Sequence, residues 1–352
     1  MAFLARPAAS ADDSLKRAIN AVKASSNEQL IAEFQRRALK PKTSLRALSD
    51  KAVGRSVESP LANIDEAALI QAVRIQSRTI YGTDDRKEWY QIGDKTVKSL
   101  AQASVALFNT ANIVSSGSAT ALKVKSLKET WGLCPGEKFE GEPSAAFCSG
   151  TLVRPDAVLT AGHCVHEIAG DNPPEVPPPP LNAIRFVFGF WMEGAKTGPV
   201  AVPSEHVFAG KEMLGGEKGE SRDWALVRLD RPVPTTIATP VSDWDLKPVQ
   251  KGQKVFVIGY PSGIPLKYAP GAEVRDITDP GFFKADLDTF GGNSCSGVFD
   301  QAANKLIGVL VRGDTDYKLD PSRKCKIAHV CPRYSDCRGE VVTRISAVTS
   351  LQ

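Results

Sequence analysis

From residue 80 onward the chain is written in short apolar runs, each cut off by Gly, Pro, Asn or Asp. Ser104-Val105-Ala106-Leu107-Phe108, Gly150–Val153, Ile184–Phe188, Trp224–Leu229, Lys254–Ile258 and Lys305–Val311 are examples. They are too short for stable helices and rich in β-branched and aromatic residues. This spacing predicts an antiparallel β structure, a barrel or a sandwich. The Pro-rich stretch from Asp171 to Pro180 interrupts the pattern. Proline donates no backbone N–H to a ladder, so this stretch reads as a stiff surface connector.

Residues 1–79 have a different texture. Leu15, Ile19, Val22, Leu30, Phe34 and Leu39 recur near helical spacing, and Asp13 or Ser14 can cap the run. A helix is expected over 13–39, with Ser25-Ser26-Asn27 as a break within it and Pro41 ending it. A polar, turn-rich linker follows at 41–61, then a second helix over 63–76. The expected domains are a helical leader, 1–79, and a β domain, 80–352.

Composition excludes several classes of function. Of the 352 residues, 42% are hydrophobic and 24% charged, as in ordinary globular proteins. A net charge of +4 without a Lys/Arg run gives no nucleic-acid surface. No stretch approaches the ~18 apolar residues that cross a bilayer. All seven cysteines fall at or after Cys134, which favours an oxidising compartment. The start MAFLARPAASADD lacks the basic segment and apolar core of a secretory signal. Extracellular, periplasmic and cytoplasmic locations all stay open. An odd number of cysteines leaves at least one free or paired outside the chain.

Three segments carry chemistry. His163 follows the apolar run Ala157–Thr160 and the small turn Ala161-Gly162; Asp223 opens the run Trp224–Leu229; Ser294 follows Gly291-Gly292-Asn293. A serine hydroxyl becomes a nucleophile when a base takes its proton. A histidine is such a base near neutral pH, and a buried carboxylate fixes its tautomer. Glycines before the serine let backbone N–H groups turn toward a developing oxyanion.

With Cys148-Ser149-Gly150-Thr151-Leu152-Val153, Thr160-Ala161-Gly162-His163-Cys164-Val165, Asp223-Trp224-Ala225-Leu226 and Gly292-Asn293-Ser294, the sequence resembles the trypsin-like (chymotrypsin-fold) serine endopeptidases. Ile80–Arg86 and Gly259–Gly263 are similar to the bacterial glutamyl-endopeptidase branch. The resemblance spans about residues 80–347. It implies two six-stranded antiparallel β-barrels with the active site in the cleft between them, His163 and Asp223 from the first and Ser294 from the second. It implies a Cys148–Cys164 disulfide, an oxyanion hole from the N–H groups of Gly292 and Ser294, and a mature chain starting near Ile80. Peptide hydrolysis would run through an acyl-enzyme on Ser294, on a protein or peptide substrate and with no metal or organic cofactor.

Departures from the family pattern raise further expectations. Asn293 stands where the animal enzymes have an Asp that pairs with a new N-terminus, so activation needs another means. Cys295-Ser296-Gly297 follows the nucleophile in place of Gly-Ser-Pro, and Cys295 is expected to pair with a cysteine at 325–337. Cys325, His329, Cys331 and Cys337 also offer zinc ligands, but C-x3-H-x-C-x5-C fits no common finger, and no metal is expected there. The substrate pocket is expected to use Asp288, Thr289, Val311, Arg312 and Gly313. Asp288 favours a basic side chain. Leu310 replaces the histidine with which the glutamyl branch reads glutamate. For residues 1–79 three readings stand: a propeptide, an adaptor for a partner, or a helical cap. The rival function is an inactive trypsin-like fold used for binding.

Overall fold

The computed structural model describes residues 80–165, 179–195, 198–219, 222–313, 316–331, 334 and 337–351. The helices expected at 13–39 and 63–76, the linker at 41–61, His166 and most of the Pro-rich connector lie outside the described residues.

The short runs become strands of two barrels. The first contains β1 (Ser104–Asn109), β2 (Cys148–Arg154), β3 (Ala157–Thr160), β4 (Ile184–Val187), β5 (Val207–Lys218) and β6 (Asp223–Leu229). Its order is β4-β5-β6-β3-β2-β1, closed by antiparallel pairing of β1 with β4. The second contains β7 (Lys254–Gly259), β8 (Lys267–Asp276), β9 (Phe282–Ala285), β10 (Gly297–Asp300), β11 (Leu306–Arg312) and β12 (Glu340–Arg344). Its order is β7-β10-β11-β12-β9-β8, closed by β8 on β7. Both barrels trace the same circuit: first strand, fourth, fifth, sixth, third, second and back. The two-fold repeat that is invisible by eye in the sequence is thus plain in the topology. Closure removes the exposed edges an open sheet would carry.

Side-chain alternation explains how the barrels join. On β7, Val255 and Val257 face the second barrel's interior with Ala269, Ile307, Leu310 and Val342. Phe256 and Ile258 point the other way, into a layer continuous with the first barrel's core. Successive strand residues point to opposite faces, so one strand serves two cores. Phe256 stacks on Phe299 at 5.2 Å between centroids. The buried Tyr260 hydroxyl donates to the Ser104 carbonyl across the junction at 3.0 Å.

Residues 80–88 are tied to the second barrel's side of the molecule. Ile80–Tyr81 pairs in parallel with Val330–Cys331, burying Ile80. Lys87–Glu88 adds to β8. Beside it, the fully buried Lys267 donates to Glu88 Oε2 at 2.8 Å, Glu142 Oε2 at 2.7 Å and the Pro265 carbonyl at 2.9 Å. Burial pushes the Glu142 carboxyl up to about 8, against the pull of Lys267 and with the push of Glu88. His329 is fully buried next to the parallel pairing.

Cys148–Cys164, Cys134–Cys325 and Cys331–Cys337 are disulfide pairs. The expected link from Cys295 to the C-terminal cysteines is therefore overturned. Cys325 is taken by Cys134, and Cys331 and Cys337 close on each other. Cys295 instead meets Cys164.

Candidate active site

Barrel one supplies an acid and a base. β3 ends at Thr160, and the turn Gly162–Cys164 carries His163 back across the end of β6. Asp223, the first residue of β6, is buried and meets it twice. Its Oδ1 accepts from the His163 backbone N–H at 3.1 Å, and its Oδ2 lies 2.7 Å from Nδ1. Gly162 makes the approach possible. A Cβ there would stand 2.3 Å from the Glu217 carbonyl and 3.1 Å from Asp223 Oδ1. With Nδ1–H donated to a carboxylate, Nε2 is left as the basic nitrogen.

Barrel two supplies the serine. Ser294 lies in the turn between β9 and β10, after Gly292 at φ 84 and before Cys295 at φ 82. The buried Asn293 side chain accepts from Ser296 Oγ at 2.9 Å. The Cys295 sulfur lies within 4.8 Å of a His163 ring nitrogen, so the serine turn and the imidazole share one site.

Each barrel reaches over to hold the other's part. Ser149 on β2 donates its backbone N–H to the Ser294 carbonyl at 3.1 Å and its hydroxyl to the Gly292 carbonyl at 2.8 Å. Thr343 on β12 donates its hydroxyl to the Asp223 carbonyl at 2.9 Å and accepts from the Asp223 N–H at 3.4 Å. Sequence reading gave neither residue a role. Ser149 lies inside a quoted motif, but its partners are 143 residues or more away in sequence and no local signal points to them.

A pocket of about 40 Å³ adjoins Ser294, lined by Thr289, Phe290, Gly291, Leu310, Arg312, Gly313, Asp316 and Glu340. Of the residues expected there, Thr289, Arg312 and Gly313 line it. Asp288 and Val311 do not. Asp288 turns to the start of the domain, accepting from the Tyr81 N–H at 2.8 Å and the Asp85 N–H at 3.4 Å. Burial pushes its carboxyl up to about 7, with the charges of Asp85 and Asp84 adding and the Tyr81 hydrogen bond opposing. Val311 packs into the layer shared with barrel one, while Leu310, part of barrel two's core, also lines the pocket. Two carboxylates that the sequence did not single out are present instead. Glu340 accepts from the Thr289 hydroxyl at 2.9 Å, and Asp316 Oδ2 accepts from the Gly291 N–H.

Residues 148–309 match the trypsin-like peptidase domain family. The chain carries a trypsin-like peptidase domain. Similar solved structures include a Glu endopeptidase in complex with MPD, at 16% identity and TM-score 0.44, covering 78% of this chain and 97% of that one. Human heparin binding protein aligns at 12% identity and TM-score 0.44, over 75% and 92% of the two chains. The Ser343Ala mutant of Rv3671c from M. tuberculosis H37Rv, in its inactive form, aligns at 14% identity and TM-score 0.39, over 78% and 94%. No curated protein matches in sequence. The peptidase fold accounts for a protein substrate and for the two barrels. Among the described residues of the peptidase domain, no helix is long and apolar enough to cross a membrane.

Proposed function

We propose that this peptidase is a serine endopeptidase with Ser294 as nucleophile, His163 as general base and Asp223 as the group that orients it. The observation that carries the reading is the double grip of Asp223 on His163, through Nδ1 at 2.7 Å and the backbone N–H at 3.1 Å. A loop histidine serving only packing has no need of it. His163 takes the Ser294 proton as the hydroxyl attacks the peptide carbonyl, then passes it to the leaving amine. Water, activated by the same imidazole, releases the acyl group. The N–H groups of Gly292 and Ser294 are the proposed oxyanion donors, each contributing a few kcal/mol to the transition state.

The chain is proposed to be made as a zymogen. A pocket of about 40 Å³ has room for a few waters at most, each needing about 10–15 Å³. A long P1 side chain therefore needs it opened, and release of residues 1–79 near Ile80 is the proposed trigger. Tyr81, held by Asp288, would then anchor the new terminus. The proposed preference is for a basic side chain, read by Glu340 and Asp316 rather than by Asp288.

A fluorophosphonate probe tests the central reading. The chain beginning at Ile80 is expected to be labelled, and its Ser294→Ala variant is not. Absence of labelling in both would favour a binding module. A peptide library on the same two proteins reads the pocket, with Glu340→Gln expected to weaken hydrolysis after Arg and Lys more than after Ala.

A further inference from the structure

Three sulfurs and an imidazole converge beside the serine turn. The ligand atoms of Cys148, His163, Cys164 and Cys295 all lie within 4.8 Å of one another. The three cysteines are buried. They come from β2, from the turn after β3 and from the turn before β10, so both barrels contribute. Cys164 meets both Cys148 and Cys295. One sulfur closes with one partner, so one of the three always remains a thiol. The Cα–Cα separation is 6.3 Å for Cys148–Cys164 and 7.6 Å for Cys164–Cys295. Disulfides span about 4.4–6.8 Å. Cys148–Cys164 is thus the natural pair in the oxidised protein, and Cys295 keeps its thiol.

We propose that the reduced protein binds one Zn²⁺ through Cys148, Cys164, Cys295 and the Nε2 atom of His163, and that the bound ion silences the catalytic centre. Three thiolates and one imidazole form a known tetrahedral zinc set. Its bonds of about 2.3 Å to sulfur and 2.0 Å to nitrogen put neighbouring ligand atoms roughly 3.3–3.8 Å apart. The sulfurs must part by more than an ångström once the bond between them is reduced, while the whole set already lies within 4.8 Å. The outer support is in place as well, because Asp223 holds Nδ1 at 2.7 Å. A carboxylate on the far nitrogen is the usual brace of a metal-bound histidine. The His163 side chain is 30% exposed, which gives an ion a way in. Thiolates select a soft or borderline cation and offer nothing to Mg²⁺ or Ca²⁺.

The chemistry balances with a dithiol as the second reactant. The dithiol gives two electrons and two protons to the Cys148–Cys164 bond and leaves as its own cyclic disulfide. Zn²⁺ then displaces three thiol protons to solvent. An Nε2 lone pair committed to the ion cannot accept the Ser294 proton. This last consequence rests on the proposed Ser294–His163 mechanism; the binding itself does not.

The test uses the whole chain, reduced with dithiothreitol, freed of it without oxygen, and titrated with Co²⁺. One equivalent is expected to give sulfur-to-cobalt charge-transfer absorption and intense tetrahedral bands, bleached by Zn²⁺. Reduction opens the other disulfides too, so Cys295→Ser and Cys148→Ser assign the signal. Each is expected to change the bands and to bind roughly tenfold or more weakly, a loss that even an outer-partner mutation reaches. Absence of bands in the reduced wild type, or bands of equal strength in both variants, overturns the site. Peptide hydrolysis by the chain beginning at Ile80 is the second readout. Zn²⁺ should stop the reduced form, and a chelator should restore it. If cobalt binds as described while the metal-free enzyme labels with no serine probe, the site stands and the serine mechanism falls.

Discussion

Barrel one and barrel two share a strand circuit but hide different things. Among the described residues, Asp223 is the one charged side chain buried on a strand of barrel one; barrel two buries Lys267 on β8 and Glu340 on β12, with Asp288 nearby. Barrel one is therefore an apolar frame that holds a single acid at its rim. Barrel two uses buried charge to tie down its own N-terminal segment and to line a pocket. The proposed catalytic groups sit where the frames meet, and each frame steadies a group of the other. Ser149 of barrel one holds the Ser294 turn, and Thr343 of barrel two holds Asp223. The same backbone plan thus carries the proposed base on one side and the proposed nucleophile with its pocket on the other.

The largest effect should come from barrel one's acid. Asp223→Asn keeps the shape but offers His163 an amide, which favours the wrong tautomer. The expected loss in kcat is about 10⁴-fold, with the fold intact by circular dichroism. A loss below tenfold would remove Asp223 from the mechanism.

Barrel two should instead be fragile where it is charged. Lys267→Met leaves Glu88 and Glu142 facing each other without their shared cation. Breaking a buried pair costs about 3–5 kcal/mol, read as a lower denaturant midpoint. An equivalent loss from Arg228→Met, on an exposed face of barrel one, would break the contrast between the barrels.

Asp288 gives a pH test of the same contrast. Burial pushes its carboxyl from an ordinary value of 3.8 up to about 7 in the fold. Between those values the folded chain holds the extra proton, so this group makes stability fall as pH rises and costs most above about 7. Asp288→Asn cannot ionise and still offers an oxygen to the Tyr81 N–H. The variant should therefore match the wild type near pH 4 and become more stable than it by up to a few kcal/mol by pH 8. A gap that does not widen across that window would show that Asp288 is not held protonated.

What the sequence reveals follows from how far each signal reaches. The runs at 104, 150, 184, 224, 254 and 305 were legible because their strands are buried on both faces and read as continuous apolar stretches. β5 and β8 were not. Gly210, Gly215 and Gly216 interrupt β5, and Pro270-Gly271 interrupts β8, so both look like loops. β9 and β12 are only a few residues long and carry Lys284, Glu340 and Arg344. His163, Asp223 and Ser294 were legible because each sits in a local motif. The pocket lining is harder to read, because one step along β11 separates Leu310, which lines it, from Val311, which packs into the layer shared with barrel one. Asp288 has the right offset from Ser294, but its partner Tyr81 lies 207 residues back, beyond any local reading.

The reciprocal bracing is the subtlest feature and yields the smallest expected effects. Ser149→Ala removes the bond to the Gly292 carbonyl and the acceptor for the Tyr260 N–H. Thr343→Val removes the hydroxyl from Asp223. Each should cost about 1–2 kcal/mol of transition-state stabilisation, roughly 5–30-fold in kcat. Their signatures should differ. Ser149→Ala loosens the nucleophile and should slow fluorophosphonate labelling at every pH. Thr343→Val moves Asp223 and should shift the acid limb of the pH–rate profile, with Thr343→Ser restoring it. The double variant decides whether the braces are one device or two. They act on different members of the site from opposite barrels, so their costs should add to within ~0.5 kcal/mol. Strong coupling would mean that the junction moves as a unit, and that neither barrel holds its catalytic group independently of the other.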